Sequence, residues 1–268
     1  MWNALVKLGD AICRRAQLRR ELTRCRRLGV DVPDWLARRV LRSPSAAEDL
    51  VNFLRFLRPD EPVFLMDIGA NRGEWAADFL ALFPDTAVVA VEPVPATFHR
   101  LRRRFEGDPR VRPINAAVSD RPGSVTLRIG TDDTLASLYD YAAPFAAARG
   151  QTDDREAVTV EALRLDDVPT DGAEGRRRVL KIDVQGHEAA VLAGGPGLLA
   201  QTDIAIVELC FAEEYEEMEP SFAPCSRLLA EAGLYPAIFQ EHGRHAMAYA
   251  IERDVIFVRR PLLDRIIG

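Results

Sequence analysis

The chain has 268 residues, of which 48% are hydrophobic and 28% are charged, and its formal net charge is −6. These values are those of an ordinary globular protein and argue against a disordered, collagen-like or coiled-coil chain. No apolar run reaches the roughly 18 residues of a membrane-spanning helix, and no secretory signal pattern opens the chain. The four cysteines show no zinc-ligand spacing, which predicts free thiols in a reducing, cytoplasmic compartment.

Basic residues are concentrated at the start of the chain. Residues 1–43 contain 11 Arg or Lys against four Asp or Glu, whereas the remainder is acidic overall. An acidic main body argues against nucleic acid as a partner, because phosphate contacts require a basic field. We therefore predict a basic N-terminal helical arm over residues 1–45. It either packs on the body with its charges in solvent, or contacts an anionic membrane, a partner or a second copy of the chain.

From residue 46 onward, helical patterns alternate with short apolar runs that are typical of strands buried on both faces. Helices are predicted over Ala46–Leu57, Glu74–Phe83, Ala96–Phe105, Glu188–Ala193 and Phe222–Ala232. Strands are predicted over Val63–Ile68, Ala87–Val91, Val111–Val118, Ser124–Ile129, Ala157–Leu163, Val179–Val184, Ile204–Leu209, Tyr235–Phe239 and Val255–Val258. This alternation predicts one α/β domain over residues 46–268, with a mainly parallel sheet and helices on both faces.

The first predicted strand leads into a turn that contains two glycines. The segment Phe64–Gly73 has the sequence FLMDIGANRG. Ligands of parallel sheets bind beyond the carboxyl ends of the strands, so this turn is the expected binding place, and Gly69 lets a ligand approach the backbone. Glu92 ends the second strand 19 residues after Gly73, the usual offset for a carboxylate that binds two ribose hydroxyls.

Two nucleoside cofactors use this layout. A dinucleotide site has the pattern G-x-G-x-x-G around a pyrophosphate, but Asp67 occupies the first glycine position. A carboxylate repels a pyrophosphate and attracts a sulfonium or an amino group. The pattern favours S-adenosylmethionine over NAD. A nucleotide-dependent oxidoreductase and a non-catalytic protein that keeps the cofactor fold are the alternatives.

A second polar motif follows the fourth core strand. The segment Leu180–Glu188 has the sequence LKIDVQGHE. Lys181 and Asp183 lie two residues apart and so share one face of the strand, where burying them is costly unless they are paired or used. Asp183 is expected to face the same crevice as Asp67 and Glu92. The alternative is a buried structural pair of Lys181 and Asp183.

Together with VEP at 91–93 and NAAVSD at 115–120, these motifs resemble the FkbM family of S-adenosylmethionine-dependent methyltransferases over about residues 50–260. The resemblance implies a Rossmann-like, seven-stranded class I methyltransferase sheet, and methyl transfer to hydroxyl oxygens of polyketides, sugars or glycolipids. It also implies the cofactor contacts: Asp67, Gly69, Asn71 and Gly73 at the methionine part, Glu92 at the ribose, Ala117, Val118 and Ser119 at the adenine, Asp183 beside the transferable methyl group, and Ala70 and Pro93 as neighbours.

The sequence departs from the family at Gln185, where the family usually has glutamate, and residues 1–45 lie outside the resemblance. Because an acceptor hydroxyl is a weak nucleophile near neutral pH, a general base is expected. We predict that Asp183 or His187 removes the proton, with Lys181 as a third catalytic candidate. The other base candidates, in a turn-like stretch, are His242 and His245.

Two further features concern a metal and the acceptor. Asp183 and Glu208 are predicted at the ends of neighbouring core strands, where two carboxylates and water could hold Mg²⁺. The insert 131–155, with Leu138, Tyr139, Tyr141 and Phe145, is a candidate lid, and Phe211–Phe222 is a second candidate for acceptor contact, although plain loop packing explains both segments equally well.

Overall fold

The computed structural model describes residues 15–24, 26–27, 32–36, 38, 50–129, 137–139, 156–212, 220–240 and 252–267. The strands are β1 (Val63–Ile68), β2 (Thr86–Val91), β3 (Val111–Ile114), β4 (Ala117–Ser119), β5 (Gly123–Ile129), β6 (Glu156–Arg164), β7 (Arg177–Ile182), β8 (Ile204–Cys210), β9 (Leu234–Phe239) and β10 (Glu252–Arg259). The helices are α1 (Glu74–Leu82), α2 (Pro95–Arg104), α3 (Glu188–Ala193), α4 (Pro196–Gln201), α5 (Phe222–Glu231) and α6 (Arg260–Ile267). Residues 15–24 and 50–53 are also helical.

Seven strands form one sheet in the order β3-β2-β1-β7-β8-β10-β9. The first five of these are parallel, and β10 runs antiparallel between β8 and β9. This arrangement confirms the predicted Rossmann-like sheet of seven strands. A second sheet has the order β4-β6-β5, in which β5 and β6 form an antiparallel pair.

Both faces of the central strand β1 are buried. Val63 and Leu65 join a core that includes α1 and the helical residues 50–53, whereas Met66 and Ile68 join a core on the opposite face, with α3 and α4. A strand covered on both sides has no face that needs polar residues, which explains why five of the six residues of β1 are apolar, with Asp67 as the exception.

The predicted strand Val111–Val118 was wrong in one respect, because the chain divides it between two sheets. β3 ends at Ile114 and pairs with β2, whereas β4 pairs with β6 in the second sheet. Between them the side-chain amide of Asn115 donates to the carbonyl oxygens of Glu92 and Pro93, at 2.9 and 3.0 Å, and fixes the change of direction. Hydrophobic periodicity contains no signal for such a tertiary contact.

The helix over residues 15–24 packs on the main sheet domain. Leu18 and Leu22 are 4% and 3% exposed and belong to the same core as β1. Arg55, which follows the helical residues 50–53, bonds the carboxylate of Glu21 at 3.1 Å. Among the described residues, no helix is long and apolar enough to cross a membrane.

Candidate functional site

A cavity opens at the carboxyl ends of β1, β2 and β7 and is bounded on one side by β4 and β5. Its walls include many of the predicted site residues: Gly69, Asn71, Glu92, Pro93, Ala117, Val118, Asp183 and His187. Apolar side chains that the sequence did not single out complete the walls, among them Val91 and Leu127. The other predicted residues lie outside the walls: Asp67, Ala70, Gly73, Ser119, Lys181 and Glu208.

The turn after β1 depends on glycine for two different reasons. Gly69 has φ +79°, and a Cβ built there would lie 1.8 Å from the carbonyl oxygen of Asp183. Gly73 has φ +72°, and its Cβ would lie 2.5 Å from the ring of Phe105. Gly69 therefore allows the turns after β1 and β7 to touch, whereas Gly73 allows α2 to pack against the turn.

Glu92 is held at the cavity wall with its carboxylate oriented. It is 4% exposed, and its two oxygens accept hydrogen bonds of 2.9 Å from the backbone N–H groups of Asn71 and Val94. A carboxylate oxygen can accept more than one hydrogen bond, so a bond from the backbone does not by itself prevent contact with a ligand. This geometry fits the predicted contact with a pair of ribose hydroxyls.

Lys181 lies between two carboxylates beneath the cavity. Its Nζ atom is 3.1 Å from Asp183 Oδ2 and 3.8 Å from Asp67 Oδ1, and 5.8 Å from the ring centre of Trp75. Burial lowers the pKa of Lys181, but the charges of Asp183 and Asp67 outweigh it and raise that pKa above the ordinary value, so the ammonium stays charged. Asp67 is fully buried, and burial raises its pKa. The structure thus places Asp67 beside Lys181 rather than in the cavity wall.

Asp183 remains ionised despite its partial burial. Desolvation acts to raise its pKa, but the charge of Lys181 and a hydrogen bond from Gln185 outweigh desolvation and hold the pKa below its ordinary value. Asp183 lines the cavity directly. A fixed negative charge is therefore present at the carboxyl end of β7.

The predicted magnesium site at Asp183 and Glu208 is not supported. Gln185 Nε2 lies between the two carboxylates and donates to Asp183 Oδ1 at 3.1 Å and to Glu208 Oε2 at 2.7 Å. Both side-chain amide protons of Gln185 therefore point at the carboxylate oxygens that a cation would need. The backbone of Gln185 is in the left-handed region, with φ +52°. The part of the chain that the structure describes contains no group of three His, Cys, Asp or Glu suited to a metal ion.

His187 connects β4 with the predicted lid. Ser119 Oγ donates to Asp120 Oδ1 at 3.1 Å, so the same oxygen accepts from His187 Nε2 at 2.9 Å. The other ring nitrogen, Nδ1, is then the acceptor and faces the hydroxyl group of Tyr139 at 3.1 Å. Burial lowers the pKa of His187, which keeps the ring neutral near pH 7, although the charge of Asp120 opposes this effect.

Residues 137–139 are the described part of the predicted lid, and they bind to the turn after β7. Ser137 Oγ donates to the carbonyl oxygen of Gln185 at 2.7 Å and accepts from the backbone N–H of Tyr139 at 3.1 Å. Leu138 lines the cavity. The remaining predicted residues Tyr141, Phe145, His242 and His245 lie outside the described residues. Ser137 was missed because a bond between residues 48 positions apart has no local sequence signal.

Glu188, at the start of α3, is a buried carboxyl group. It is 1% exposed, and its Oε1 atom accepts from the backbone N–H groups of Val184 and Gly186 at 3.2 and 3.0 Å. Burial raises its pKa from 4.5 to about 7. The folded protein therefore holds a proton that the unfolded chain releases at lower pH.

We expect Glu188 to make the protein less stable as the pH rises. A raised pKa contributes stability that is complete below the unfolded value near 4.5 and is lost as the pH passes the folded value near 7. The loss by pH 8 is on the order of 3 kcal/mol. Glu188→Gln, which carries no titrating group, should remove this part of the pH dependence when unfolding free energies are measured in urea at pH 5 and 8. Exposed Glu231→Gln is the control, and an unchanged pH slope in Glu188→Gln would contradict the prediction.

A parallel sheet in this strand order, a glycine turn after β1 and an oriented carboxylate after β2 define a Rossmann-like protein that binds a nucleoside-containing cofactor. Residues 67–242 match the family described as the Methyltransferase FkbM domain. The chain therefore belongs to the FkbM family of methyltransferases.

Characterised relatives and a solved structure are similar to this chain. The 2-O-methyltransferase NoeI of Sinorhizobium fredii is 30% identical over 170 residues, which cover 61% of this chain and 70% of the relative. The hexuronic acid methyltransferase AglP of Haloferax volcanii is 27% identical over 197 residues and 72% of each chain. The crystal structure of methyltransferase FkbM from Methylobacillus flagellatus KT is 13% identical with a TM-score of 0.49, and the match covers 90% of this chain and 60% of that one.

The methyl donor of this family, S-adenosyl-L-methionine, fits the residues at the cavity. The oxygens of Glu92 suit its ribose, the apolar walls at Val91 and Val118 suit its adenine, and the ionised Asp183 suits its positive charge. The same cavity wall offers no cationic side chain to a pyrophosphate among the described residues.

Proposed function

We propose that the protein methylates a hydroxyl oxygen of a sugar, glycolipid or polyketide acceptor. The observation that carries the proposal is the cavity in which Glu92, Asp183 and His187 meet. Two relatives, named a 2-O-methyltransferase and a hexuronic acid methyltransferase, support oxygen as the methylated atom and a carbohydrate as the acceptor.

S-Adenosyl-L-methionine, when bound, supplies a methyl group on a positively charged sulfur atom. Glu92 would hold the ribose, Ala117 and Val118 would border the adenine, and Gly69 and Asn71 would face the methionine part. Asp183 contributes a negative charge that is already oriented by Lys181 and Gln185. Because this charge is fixed before the reaction, it stabilises positive charge in the cavity without reorganisation.

His187 is the better of the two predicted bases. Asp183 has both oxygens bonded, to Lys181 and Gln185, and a lowered pKa makes it a weak proton acceptor. His187 is neutral near pH 7 and accepts at Nδ1, the atom that faces Tyr139. We assign His187 Nδ1 as the atom that takes the acceptor proton, directly or through the Tyr139 hydroxyl, and Asp183 as the fixed charge. Two groups whose environments separate their pKa values suit these separate roles.

An aromatic cluster lies at the same end of the sheet as the cavity. Phe211 and Phe222 stack at 4.7 Å between ring centres, and Phe239 lies 6.2 Å from Phe222. Phe211 directly follows β8, and Phe239 ends β9, which runs parallel to β8. Phe239 is 51% exposed. Aromatic rings at this end of the sheet suit the apolar face of a sugar or a polyketide chain.

Calorimetry separates the proposal from the oxidoreductase alternative. S-Adenosylhomocysteine should bind to the protein, and NAD should not. Glu92→Gln should weaken this binding by about 10- to 100-fold, because it removes a charged acceptor from the ribose contact. Exposed Glu106→Gln is the matched control. Binding of NAD, or equal effects of both substitutions, would overturn the assignment of the cavity. A screen of glycan and polyketide acceptors with labelled methyl donor then identifies the acceptor and excludes a non-catalytic protein.

We expect the rate of methyl transfer to fall in acid as His187 gains a proton. Since its pKa lies below the ordinary value of 6.5, the rate should be flat at neutral pH and should fall only at lower pH. His187→Gln should lower kcat by about 10²-fold and should remove this acid limb. His99→Gln, on the exposed side of α2, is the control. An unchanged profile in His187→Gln would exclude His187 as the base.

A further inference from the structure

The helix over residues 15–24, continued by helical residues 26–27, has two opposite faces. Leu18 and Leu22 are buried in the core. Arg20, Arg24 and Arg27 are exposed and are spaced i, i+4 and i+7, which places them in one row. At 100° per residue the row lies opposite the buried leucines. We call Arg20, Arg24 and Arg27 the arginine ridge.

The charge of the ridge is not neutralised by its own helix. Arg19 and Arg26 are also exposed but lie on one side of the helix, between the ridge and the buried face, and Arg26 is 3.7 Å from the carboxylate of Asp34. Glu21 is the one acidic residue of the sequence between positions 15 and 27. The carboxylate of Glu21 bonds Arg55 on the protein body at 3.1 Å, away from the ridge. The whole chain has a net charge of −6, so the ridge is a locally positive surface on an acidic molecule.

The shape of the ridge indicates what it can contact. A single helix whose other face is buried is convex, so it cannot surround a small anion. Seven residues of helix extend about 10 Å, which is enough to contact several lipid headgroups at once. A flat anionic surface would contact only the ridge. Most of the acidic body would then lie more than the screening length, roughly 8 Å, from that surface, so its repulsion would be weak.

We propose that the arginine ridge docks the protein onto an anionic lipid bilayer. Basic residues on a helix surface bind anionic membranes electrostatically without insertion. A nucleic acid is disfavoured because the buried leucines hold the helix against the body and the remainder of the chain is acidic. The proposal does not depend on the identity of the methyl acceptor, since it concerns a surface outside the cavity.

Flotation of the full chain with lipid vesicles tests the proposal. Vesicles of phosphatidylcholine with phosphatidylglycerol should bind the protein, vesicles of phosphatidylcholine alone should not, and added salt should release it. Replacing Arg20, Arg24 and Arg27 by serine should weaken binding by on the order of 100-fold, at about fivefold for each arginine. Because these side chains are exposed, thermal unfolding of the variant should match that of the parent protein.

A matched variant tests whether vesicle binding depends on the position of the arginines or only on the total charge of the protein. Arg100, Arg102 and Arg103 are exposed on α2, so replacing them by serine makes the same charge change elsewhere. This control should keep most of the vesicle binding. The proposal is overturned if anionic vesicles do not bind the protein, if both variants lose binding equally, or if a DNA duplex binds the ridge more tightly than the vesicles do.

Discussion

Gly69→Ala is expected to abolish cofactor binding and to destabilise the fold by about 3 kcal/mol, through backbone strain and overpacking combined. The added Cβ would lie 1.8 Å from the carbonyl oxygen of Asp183, and Gly69 has φ +79°. A backbone oxygen at the end of a buried parallel strand cannot move aside as a flexible side chain can. The turns after β1 and β7 must therefore separate, and this separation removes both Gly69 and Asp183 from their places in the cavity wall.

Gly107→Ala isolates the steric part of this effect. Gly107 also has φ +79°, but nothing lies within 4 Å of the Cβ that would be added there. The Gly107→Ala variant should lower the free energy of unfolding by only about 1 kcal/mol, the cost of a left-handed backbone at alanine, and should keep cofactor binding. Urea unfolding and calorimetry with S-adenosylhomocysteine measure the two quantities. Equal destabilisation in both variants would show that the contact with Asp183 is unimportant.

Asp183→Asn is expected to lower kcat by on the order of 10³-fold, because it removes a preorganised charge from the reaction site. The substitution keeps the shape of the side chain. It should also weaken binding of S-adenosylmethionine more than binding of S-adenosylhomocysteine, since only the former has a positively charged sulfur. Calorimetry with both molecules therefore tests the role of the charge without an acceptor.

Asp203→Asn is the control for Asp183→Asn. Asp203 also bonds a cationic side chain, that of Arg177 at 3.2 Å, but it precedes β8 at the opposite end of the sheet from the cavity. Asp203→Asn should leave the ratio of the affinities for S-adenosylmethionine and S-adenosylhomocysteine unchanged. If Asp183→Asn also leaves that ratio unchanged, Asp183 does not act through its charge on the cofactor.

The central sheet could be predicted because its strands have strong local patterns. The predicted strand Val63–Ile68 matches β1 at both ends, since five of its six residues are apolar and the strand is buried on both faces. Gly69 and Glu92 were also found from spacing, because strand length fixes the distance between a turn and the next strand end. The helices α4 and α6 were not predicted, whereas α3, which also has six residues, was predicted with its exact bounds.

The candidate site was only partly predictable, since much of it depends on contacts between distant segments. The contact of Asp67 with the cofactor stays a prediction: the register of β1 and β7 places Asp67 opposite Lys181, and it is not among the residues that line the cavity. The bond between Tyr139 and His187 joins residues 48 positions apart. The position of Gln185 between two carboxylates likewise needs β7 and β8 side by side. None of these pairings leaves a periodic pattern in the sequence.

The contact of Gly69 with the Asp183 carbonyl bears on the order in which ligands bind. The same β7 turn is bonded to Ser137, so the turn after β1 and the segment 137–139, whose Leu138 lines the cavity, share one backbone support. A ligand that rigidifies the turn after β1 will also rigidify the segment 137–139. This is thermodynamic coupling between two ligands without a large movement. Such coupling favours sequential kinetics, in which the donor enters first and the methyl acceptor finds its pocket already assembled.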